Sequence, residues 1–479
     1  MTNGNKKSAT FLTALGICAA SGLAALIFST AHASPAGYTF TLLATLGTPF
    51  HFAIGDGFVI NDFEPGSLNN SGDAIYGADI ATCNDPACFI GEGVFLQSSG
   101  KISNLVCSTC PAPGGGTFDF LLMGQTSLNE AGNGALAFSL VPFGAPEGVN
   151  SGLFRYSHVG RTITAAVLPF VTPAPGGGIF QGVFFGTSLN NAGTLVFTGI
   201  IPTDQGVHIP GQAYPGLGMG VFKASANGQI SSMVRPGDPA PGGGTFDIAE
   251  SGWINDGGDV AFEAHVAGEE AAIPGIPPQA VLISALGSLY VKNARSGGIT
   301  SIAHAGDPAP GGGTFRQTLS PVMNNAGNIA FLGDLTPAPS ANQVTGVYVY
   351  SSGVISKIAA PGDPMPGGGN FVTASTIPSQ QIDINNRGDV VFNAVLDTDV
   401  NKDGVPDNGL FVWSQGLLRL VAGTGTVIPG VGTVSGLVMN GAAESTLTPN
   451  SGAINNARGQ VLFGATLTDG RGVLLLATP

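Results

Sequence analysis

Two short phrases recur along this chain of 479 residues, and their spacing limits the folds it can adopt. The first is a glycine phrase, found as CPAPGGGTF (110–118), TPAPGGGIF (172–180), PGDPAPGGGTF (236–246), AGDPAPGGGTF (305–315) and PGDPMPGGGNF (361–371). In the second, called NxxG here, Gly follows Asn by three residues and an aromatic follows soon after. Its Asn residues are 69, 129, 190, 255, 324, 385 and 456, a period of roughly 64 residues. Such a period indicates a repeat architecture.

One period contains four short strands. Between residues 315 and 363 the apolar runs are FRQTLSPVMN, NIAFLGDL, VTGVYVYSS and VISKIAAPGD, separated by NxxG, a polar link and an SSG turn. Gly and Asn supply the positive φ that tight turns between antiparallel strands require. Each period therefore predicts one four-stranded antiparallel sheet. The 75 Gly and 33 Pro of the chain, clustered between short apolar runs, are typical of an all-β protein.

Seven such periods predict a seven-bladed β-propeller. The last period ends at its third strand, GVLLLATP (472–479), and YTFTLLATLGTP (38–49) is a candidate for the missing fourth. The N-terminal segment is then expected to close the ring. An open β-solenoid is the alternative, and it requires polar caps at both ends.

The glycine phrase is predicted to form the corner between the outer strand of one blade and the inner strand of the next. Pro stops strand extension, and the three glycines are expected to let backbones crowd near the ring axis. A phosphate-binding loop is disfavoured because neither a helix nor a Lys follows the glycines. The aromatic residues after NxxG are expected to fill the space between blades; they are Tyr76, Phe138, Phe197, Phe262, Phe331, Phe392 and Phe463.

The N-terminus is typical of an export signal. Lys6 and Lys7 precede an apolar stretch at 11–29, and the AHA at 31–33 offers small residues for cleavage after Ala33. This predicts a signal peptide at 1–33 and one propeller domain at 34–479 of an extracellular or periplasmic protein; an uncleaved membrane anchor is the alternative. Without the two lysines, 14 basic and 30 acidic residues leave a net charge of −16. This charge disfavours nucleic acid and anionic membranes as partners.

Four cysteines follow the predicted cleavage site, as CNDPAC and CSTC: Cys83, Cys88, Cys107 and Cys110. Their spacing would suit zinc in a cytosolic protein, but export favours disulfides. Three pairings are possible.

Together the two phrases resemble the tandem NxxGxxxF repeats of exported bacterial proteins, a family often described as choice-of-anchor. The resemblance covers about residues 38–479 and implies no particular activity. Members often end in an anchoring tail, and none precedes Pro479, so a released protein is expected.

The stretch DTDVNKDGVPDNG (397–409) is the sharpest local motif. Oxygen donors alternate along it as in a calcium loop, and Gly404 stands where such a loop turns sharply. It resembles the DxDxDGxxD loops inserted in integrin-type propellers, although Leu410 replaces the last ligand of an EF-hand. We therefore expect one structural Ca²⁺; a solvated acidic turn is the alternative. The predicted ligands are Asp399, Asn401, Asp403, the carbonyl of Val405, and Asp407.

Catalytic motifs are missing from the sequence: it has no GxSxG, HExxH or CxxCH, and the five histidines after residue 33 are scattered. Asp238, Asp307 and Asp363 recur in the corners, where hydrogen bonding to their own turn is expected rather than ligand binding. The links after each second strand are long, so their rim is the expected functional surface. We expect a non-enzymatic monomer that binds an extracellular protein or glycan, the alternative being a hydrolase or lyase acting on a polymer at the channel mouth.

Overall fold

The computed structural model describes most of the chain. The described part consists of β-strands and the turns and loops between them. The described residues are 37–47, 49–52, 55–82, 89–141, 150–202, 207–209, 212–214, 216–267, 287–336, 345–374, 382–437 and 454–479. The predicted signal peptide therefore lies outside the described residues. The described residues contain no helix that is long and apolar enough to cross a membrane.

Blades one to four are antiparallel sheets in chain order. Their strands, after β1 (Thr39–Thr45), are β2 (Pro49–Phe52), β3 (Gly55–Leu68), β4 (Ala74–Ala81), β5 (Phe89–Ser98) and β6 (Lys101–Cys107) in blade one; β7 (Thr117–Leu128), β8 (Gly134–Val141), β9 (Ser151–Ser157) and β10 (Thr162–Val167) in blade two; β11 (Gly182–Leu189), β12 (Leu195–Pro202), the separate ribbon β13 (Val207–Ile209) and β14 (Gln212–Tyr214), β15 (Leu217–Ala224) and β16 (Ile230–Val234) in blade three; and β17 (Phe246–Ile254), β18 (Val260–Val266), β19 (Ser288–Lys292) and β20 (Ile299–Ala303) in blade four.

Blades five to seven complete the ring. Their strands are β21 (Thr314–Met323), β22 (Ile329–Thr336), β23 (Thr345–Ser351) and β24 (Val354–Ala359) in blade five; β25 (Phe371–Ala374), β26 (Ile382–Ile384), β27 (Val390–Leu396), β28 (Asn408–Ser414) and β29 (Leu417–Gly423) in blade six; and β30 (Val427–Ile428), β31 (Gly432–Gly436), β32 (Ile454–Asn455), β33 (Val461–Leu467) and β34 (Gly472–Thr478) in blade seven. The predicted seven-bladed propeller is confirmed.

The first strand of the chain closes the ring. β1 pairs antiparallel with β34, from Thr39 opposite Thr478 to Thr45 opposite Val473. It is the outer strand of blade seven, so the last sheet combines both ends of the chain. This confirms the predicted closure over the open solenoid.

Each glycine phrase forms a small hairpin between two blades. In 305–315 the amide N–H of Gly306 donates to the carbonyl of Phe315, and that of Phe315 donates to the carbonyl of Asp307. All three glycines have positive φ, 97°, 116° and 78° at Gly311–Gly313, and the other four copies repeat this. A Cβ on the middle glycine, Gly312, would meet nothing within 4 Å. Backbone conformation alone therefore selects the middle glycine. At Gly313 the expected crowding is also present, because a Cβ there would lie 2.9 Å from the carbonyl oxygen of Thr336.

Blade seven has a sixth copy of this corner that the sequence did not reveal. The amide N–H of Gly425 donates to the carbonyl of Val434, and that of Val434 donates to the carbonyl of Thr426, as in the other corners. Its sequence, GTVIPGVGTV (425–434), lacks the glycine triplet. This corner has the same length as the corner at 305–315. Both corners bury an apolar side chain at the equivalent position, Ile428 here and Ala309 there.

The aromatic side chains after the NxxG turns fill the space between blades, as expected: Phe331 of blade five shares a core cluster with Leu289 of blade four. The seven aromatics that follow the NxxG turns are 0% exposed. Five of them stack on an aromatic of the third strand with centroid distances of 5.6–5.9 Å, as Phe331 does on Tyr348. The Phe that ends the glycine phrase packs edge-on against the third-strand ring at 4.8–5.1 Å in four blades. The two sequence phrases thus meet in one aromatic cluster in each of blades two to six.

Candidate functional site

The seven NxxG turns lie side by side around the propeller axis, on what we call the NxxG face. In each turn the Asn carbonyl accepts the N–H of the Gly three residues later, which has a positive φ of 76–86°. In blade five, Oδ1 of Asn324 also accepts the N–H groups of Ala326 and Asn328, both at 3.0 Å. The side-chain oxygen therefore folds its own turn, as the sequence predicted.

The side-chain nitrogen of the same Asn ties one blade to the next. Nδ2 of Asn324 donates to the carbonyl of Asn385 at 3.0 Å, and Nδ2 of Asn456 closes the circle on the carbonyl of Asn69 at 2.9 Å. Equivalent bonds join residues 69 to 129, 129 to 190, 190 to 255 and 385 to 456, which makes six of the seven blade-to-blade steps. At the remaining step, Nδ2 of Asn255 donates to Oδ2 of Asp259 at 3.5 Å. We call this set the amide ring. Asn is suited to it because one short side chain carries both an acceptor and a donor.

A second ring surrounds the mouth of the axis. The residue after each Asn accepts, through its side-chain oxygen, the N–H of its counterpart in the preceding blade at 2.8–2.9 Å. Its members are Asn70, Glu130, Asn191, Asp256, Asn325 and Asn386, with Ala457 in the seventh position. Ala457 has no side-chain acceptor, so the ring is chemically uneven at one point.

These two rings line a polar depression at the axis. Its lining residues are Asn, Asp, Glu, Leu, Ile, Met and Ala, and none is His, Cys, Ser, Lys, Arg or Tyr. Both carboxylates of the mouth are engaged: Glu130 with the backbone and side-chain nitrogens of Asn70, and Asp256 with Asn191 and Asn325. The lining therefore offers hydrogen-bonding amides rather than a nucleophile with its base.

Buried carboxyls lie between blades rather than at the axis. In blade four, Glu250 on β17 stands directly opposite Glu263 on β18, and their side chains are 8% and 4% exposed. Glu263 accepts the N–H of Ser320 from blade five. Burial raises the pKa of Glu250 to about 8, and burial and then the neighbouring Glu250 raise that of Glu263 well above its usual range. Burial thus favours the protonated form of both carboxyls.

A larger acidic cluster lies in blade one and faces blade two. Asp62 on β3 is opposite Asp79 on β4, which is opposite Glu92 on β5, and Glu64 lies two residues from Asp62. Oε2 of Glu92 accepts the N–H of Leu121 in blade two. Burial raises the pKa of Glu64 to about 7, of Asp79 to about 6 and of Glu92 to about 8. Sequence reasoning missed this cluster because its members are more than 25 residues apart at the extremes.

The predicted calcium loop folds around its own carboxylates. Asp399 accepts the N–H groups of Asp403 and Gly404, at 3.1 and 3.0 Å, and Gly404 has φ +84°. Asp407 is 4% exposed; its Oδ2 accepts the N–H of Val400 at 2.9 Å, and its Oδ1 has no hydrogen-bond partner among the described residues. Asn401 donates to Asp403, and Val405 is exposed. Across the described ranges, no three His, Cys, Asp or Glu side chains stand close enough together to hold a metal ion.

The cysteines and the corner aspartates share one structural position. Cys107 and Cys110 form a disulfide, whereas Cys83 and Cys88 lie outside the described residues. Cys110 stands in its corner where Asp238, Asp307 and Asp363 stand in theirs, and each Asp accepts the N–H of the residue three positions before it at 2.8–2.9 Å. The expected role of these aspartates in their own turns is confirmed. The disulfide makes the same link covalently.

Of the long links, only 397–408 lies wholly within the described residues. The antiparallel order of the strands places the strand ends that these links join, together with the corners, on the face opposite the NxxG face. We call it the long-link face.

One family model matches part of the sequence. It describes a family of unknown function, DUF7453, and matches residues 41–276, which span blades one to three and part of blade four. No curated protein matches the sequence. The choice-of-anchor resemblance therefore stays an expectation.

Several solved structures are similar in outline. An oligogalacturonate lyase in complex with manganese is 12% identical, with 92% of this chain and 98% of that one covered and a TM-score of 0.44. The oligogalacturonate lyase of Vibrio parahaemolyticus is 10% identical with the same coverage and a TM-score of 0.47. TolB of Acinetobacter baumannii is 12% identical; the alignment covers 75% of this chain and 63% of the TolB chain, with a TM-score of 0.36. The fold assignment rests on strand pairing.

The amide ring generates a stability prediction. In Asn324→Asp the turn keeps its acceptor, but the donor to Asn385 is lost and a charge faces a carbonyl oxygen. We expect a loss of about 2 kcal/mol or more, measured by urea unfolding. Asn227→Asp is the control, since that exposed side chain accepts only within its own turn; it should change stability by less than about 0.5 kcal/mol. Equal losses would show that the blade-to-blade bond is unimportant.

The buried carboxyls generate a pH prediction. Their folded-state pKa values, about 8 for Glu250 and Glu92, lie above those of the unfolded chain. The folded protein therefore binds more protons than the unfolded chain above about pH 4.3, and stability falls as pH rises towards 8. We expect the free energy of unfolding to drop by about 2 kcal/mol or more between pH 5 and pH 8. Glu250→Gln should flatten the profile, and a profile that rises over this interval would contradict the assignment.

Proposed function

We propose that this protein is an exported, non-catalytic propeller that serves as a binding or scaffold module. The observation that carries the proposal is the chemistry of the axial mouth. Amide side chains line it, and they are hydrogen-bonded from blade to blade. The two carboxylates there, Glu130 and Asp256, accept hydrogen bonds from neighbouring Asn residues. A mouth whose polar groups hold the ring together is suited to structural support rather than to proton transfer.

The long-link face is the surface that differs from blade to blade. Its corners keep one backbone geometry, but the side chains around them change from Asp to Thr to Cys. Loops of variable sequence on a rigid scaffold are where propellers and other repeat proteins bind partners. We therefore assign partner recognition to the long-link face, while the NxxG face keeps the ring closed.

We further propose that the loop at 397–409 binds one Ca²⁺ with a structural role. Asp407 supports this, because a nearly buried carboxylate oxygen without a partner lacks the compensation that a cation supplies. Asp399 and Asp403 are exposed and belong to the same tight turn. Ligation requires these side chains to move towards Asp407, because no three such side chains of the described residues converge on one point.

Absence of catalysis is tested on polymers. The full chain is incubated with acidic and neutral polysaccharides and with casein. New reducing ends, new amino groups and the ultraviolet absorbance of unsaturated sugars are then measured. We expect no turnover above that of heat-unfolded protein. Turnover that disappears in the double variant Glu130→Gln, Asp256→Asn would place catalysis at the axial mouth and overturn the proposal.

Calcium binding is tested by calorimetry and thermal unfolding. We expect one ion per chain, a dissociation constant of about 10⁻⁴–10⁻³ M, and a higher melting temperature in calcium than in chelator. Asp407→Asn should abolish both effects. Asp469→Asn removes an exposed turn carboxylate of blade seven and should leave them unchanged. No heat and no shift in the wild-type chain would identify the loop as a solvated acidic turn.

A further inference from the structure

Two turns of the NxxG face hold a carboxylate in the same way. Glu130 accepts the backbone N–H of Asn70 with Oε2 at 2.9 Å and its Nδ2 with Oε1 at 2.6 Å. Asp256 accepts the N–H of Asn191 with one oxygen and its Nδ2 with the other, both at 2.8 Å. The backbone and side-chain nitrogens of one Asn therefore form a paired donor that fits the two oxygens of a carboxylate.

At the step from blade six to blade seven the same paired donor meets no carboxylate. Asn386 holds the position of Asn70 and Asn191, and its Oδ1 accepts the N–H of Asn325 at 2.9 Å as the second ring requires. The residue that follows it around the ring, however, is Ala457, which has no side-chain acceptor. Among the described residues, neither the N–H nor the Nδ2 of Asn386 finds an acceptor. Asn386 and Ala457 both line the polar depression at the axis, so a ligand can reach these two donors.

The charge at this step favours an anion. The third residue of the turn is Arg387 in blade six and Arg458 in blade seven, whereas it is Ser, Ala or Gly in the other five turns. Arg387 pairs with Asp389 and extends onto the turn of blade seven, since its Nη2 would collide with a Cβ on Gly459. The side chain of Arg458 is exposed and forms no ion pair with a described residue. The two carboxylates of the mouth belong to blades two and four, which are not adjacent to this step.

We propose that this step binds the carboxylate of a small organic acid, which supplies the acceptor that Ala457 lacks. One carboxylate oxygen accepts the N–H of Asn386 and the other accepts its Nδ2, in the arrangement that Glu130 and Asp256 show. The depression has a volume of about 140 Å³, which gives room for a small molecule. Arg458 adds electrostatic attraction from blade seven, so the bound acid links two blades at the one gap in the second ring. This site is separate from the partner recognition assigned to the long-link face.

Binding is measured on the full chain with acetate as the probe, by saturation-transfer NMR of its methyl group and by thermal unfolding. Acetamide, and chloride at equal ionic strength, serve as comparisons. We expect acetate but not acetamide to bind, with a dissociation constant on the order of 10⁻³ M because few atoms are held, and with affinity falling as salt rises. Asn386→Asp keeps the acceptor for Asn325 but loses the Nδ2 donor, so it should weaken binding by about tenfold or more. Arg458→Gln should weaken binding less and reduce its salt dependence.

Ala457→Asp is the decisive variant, because it supplies the carboxylate from the chain itself. It should raise the melting temperature in acetate-free buffer by about 1–2 °C and abolish acetate binding. Ala326→Asp is the matched control: it adds the same charge at the exposed third position of the blade-five turn and should bind acetate as the wild type does. The proposal is overturned if the wild-type chain does not bind acetate, if acetamide binds equally well, or if Ala457→Asp binds acetate as the wild type does.

Discussion

One Asn side chain per repeat carries the geometry of this propeller. Its oxygen folds the local turn, and in six of the seven repeats its nitrogen binds the carbonyl of the next turn, so local and long-range structure depend on the same amide. The bond from Asn456 to Asn69 spans 387 positions and joins the last blade to the first. Because these amides bind from blade to blade, the turns stay side by side around the axis. Differences in repeat length are therefore taken up by the long links on the opposite face.

Local pattern predicted the strands well because alternation and turn residues are visible within ten positions. The run predicted at 328–335 is β22 at Ile329–Thr336, and the run predicted at 344–352 is β23 at Thr345–Ser351. The disulfide partner of Cys107 was not predictable, since three pairings satisfied the spacing. The blade-to-blade amide bonds were also missed, although the repeated Asn was their signal. A side chain that already satisfies its own turn gives no sign of a second partner some 60 residues away.

The buried carboxyls were hidden for a different reason. No sequence motif marks Glu250 or Glu263, and each blade of a propeller packs against another on both faces. The second strand of a blade is buried on both faces along almost its whole length, so polar residues on the inner strands must find partners within the protein. Thr198 does so by accepting the N–H of Ser251, and Asn408 by accepting that of Leu437. Carboxyls at these positions do so while keeping their protons.

The two faces of the propeller thus have different freedom to vary. On the NxxG face each repeat must supply the same amide and the same glycine, and a substitution there disturbs the closure of the ring. On the long-link face the corner needs only a link to the residue a few positions before it, and a carboxylate, a Thr hydroxyl or a disulfide can supply this. The calcium-type loop, which occurs only in blade six, therefore lies on the long-link face. Recognition of a macromolecular partner is accordingly expected on the long-link face, because only there can one blade differ from the others without loss of stability.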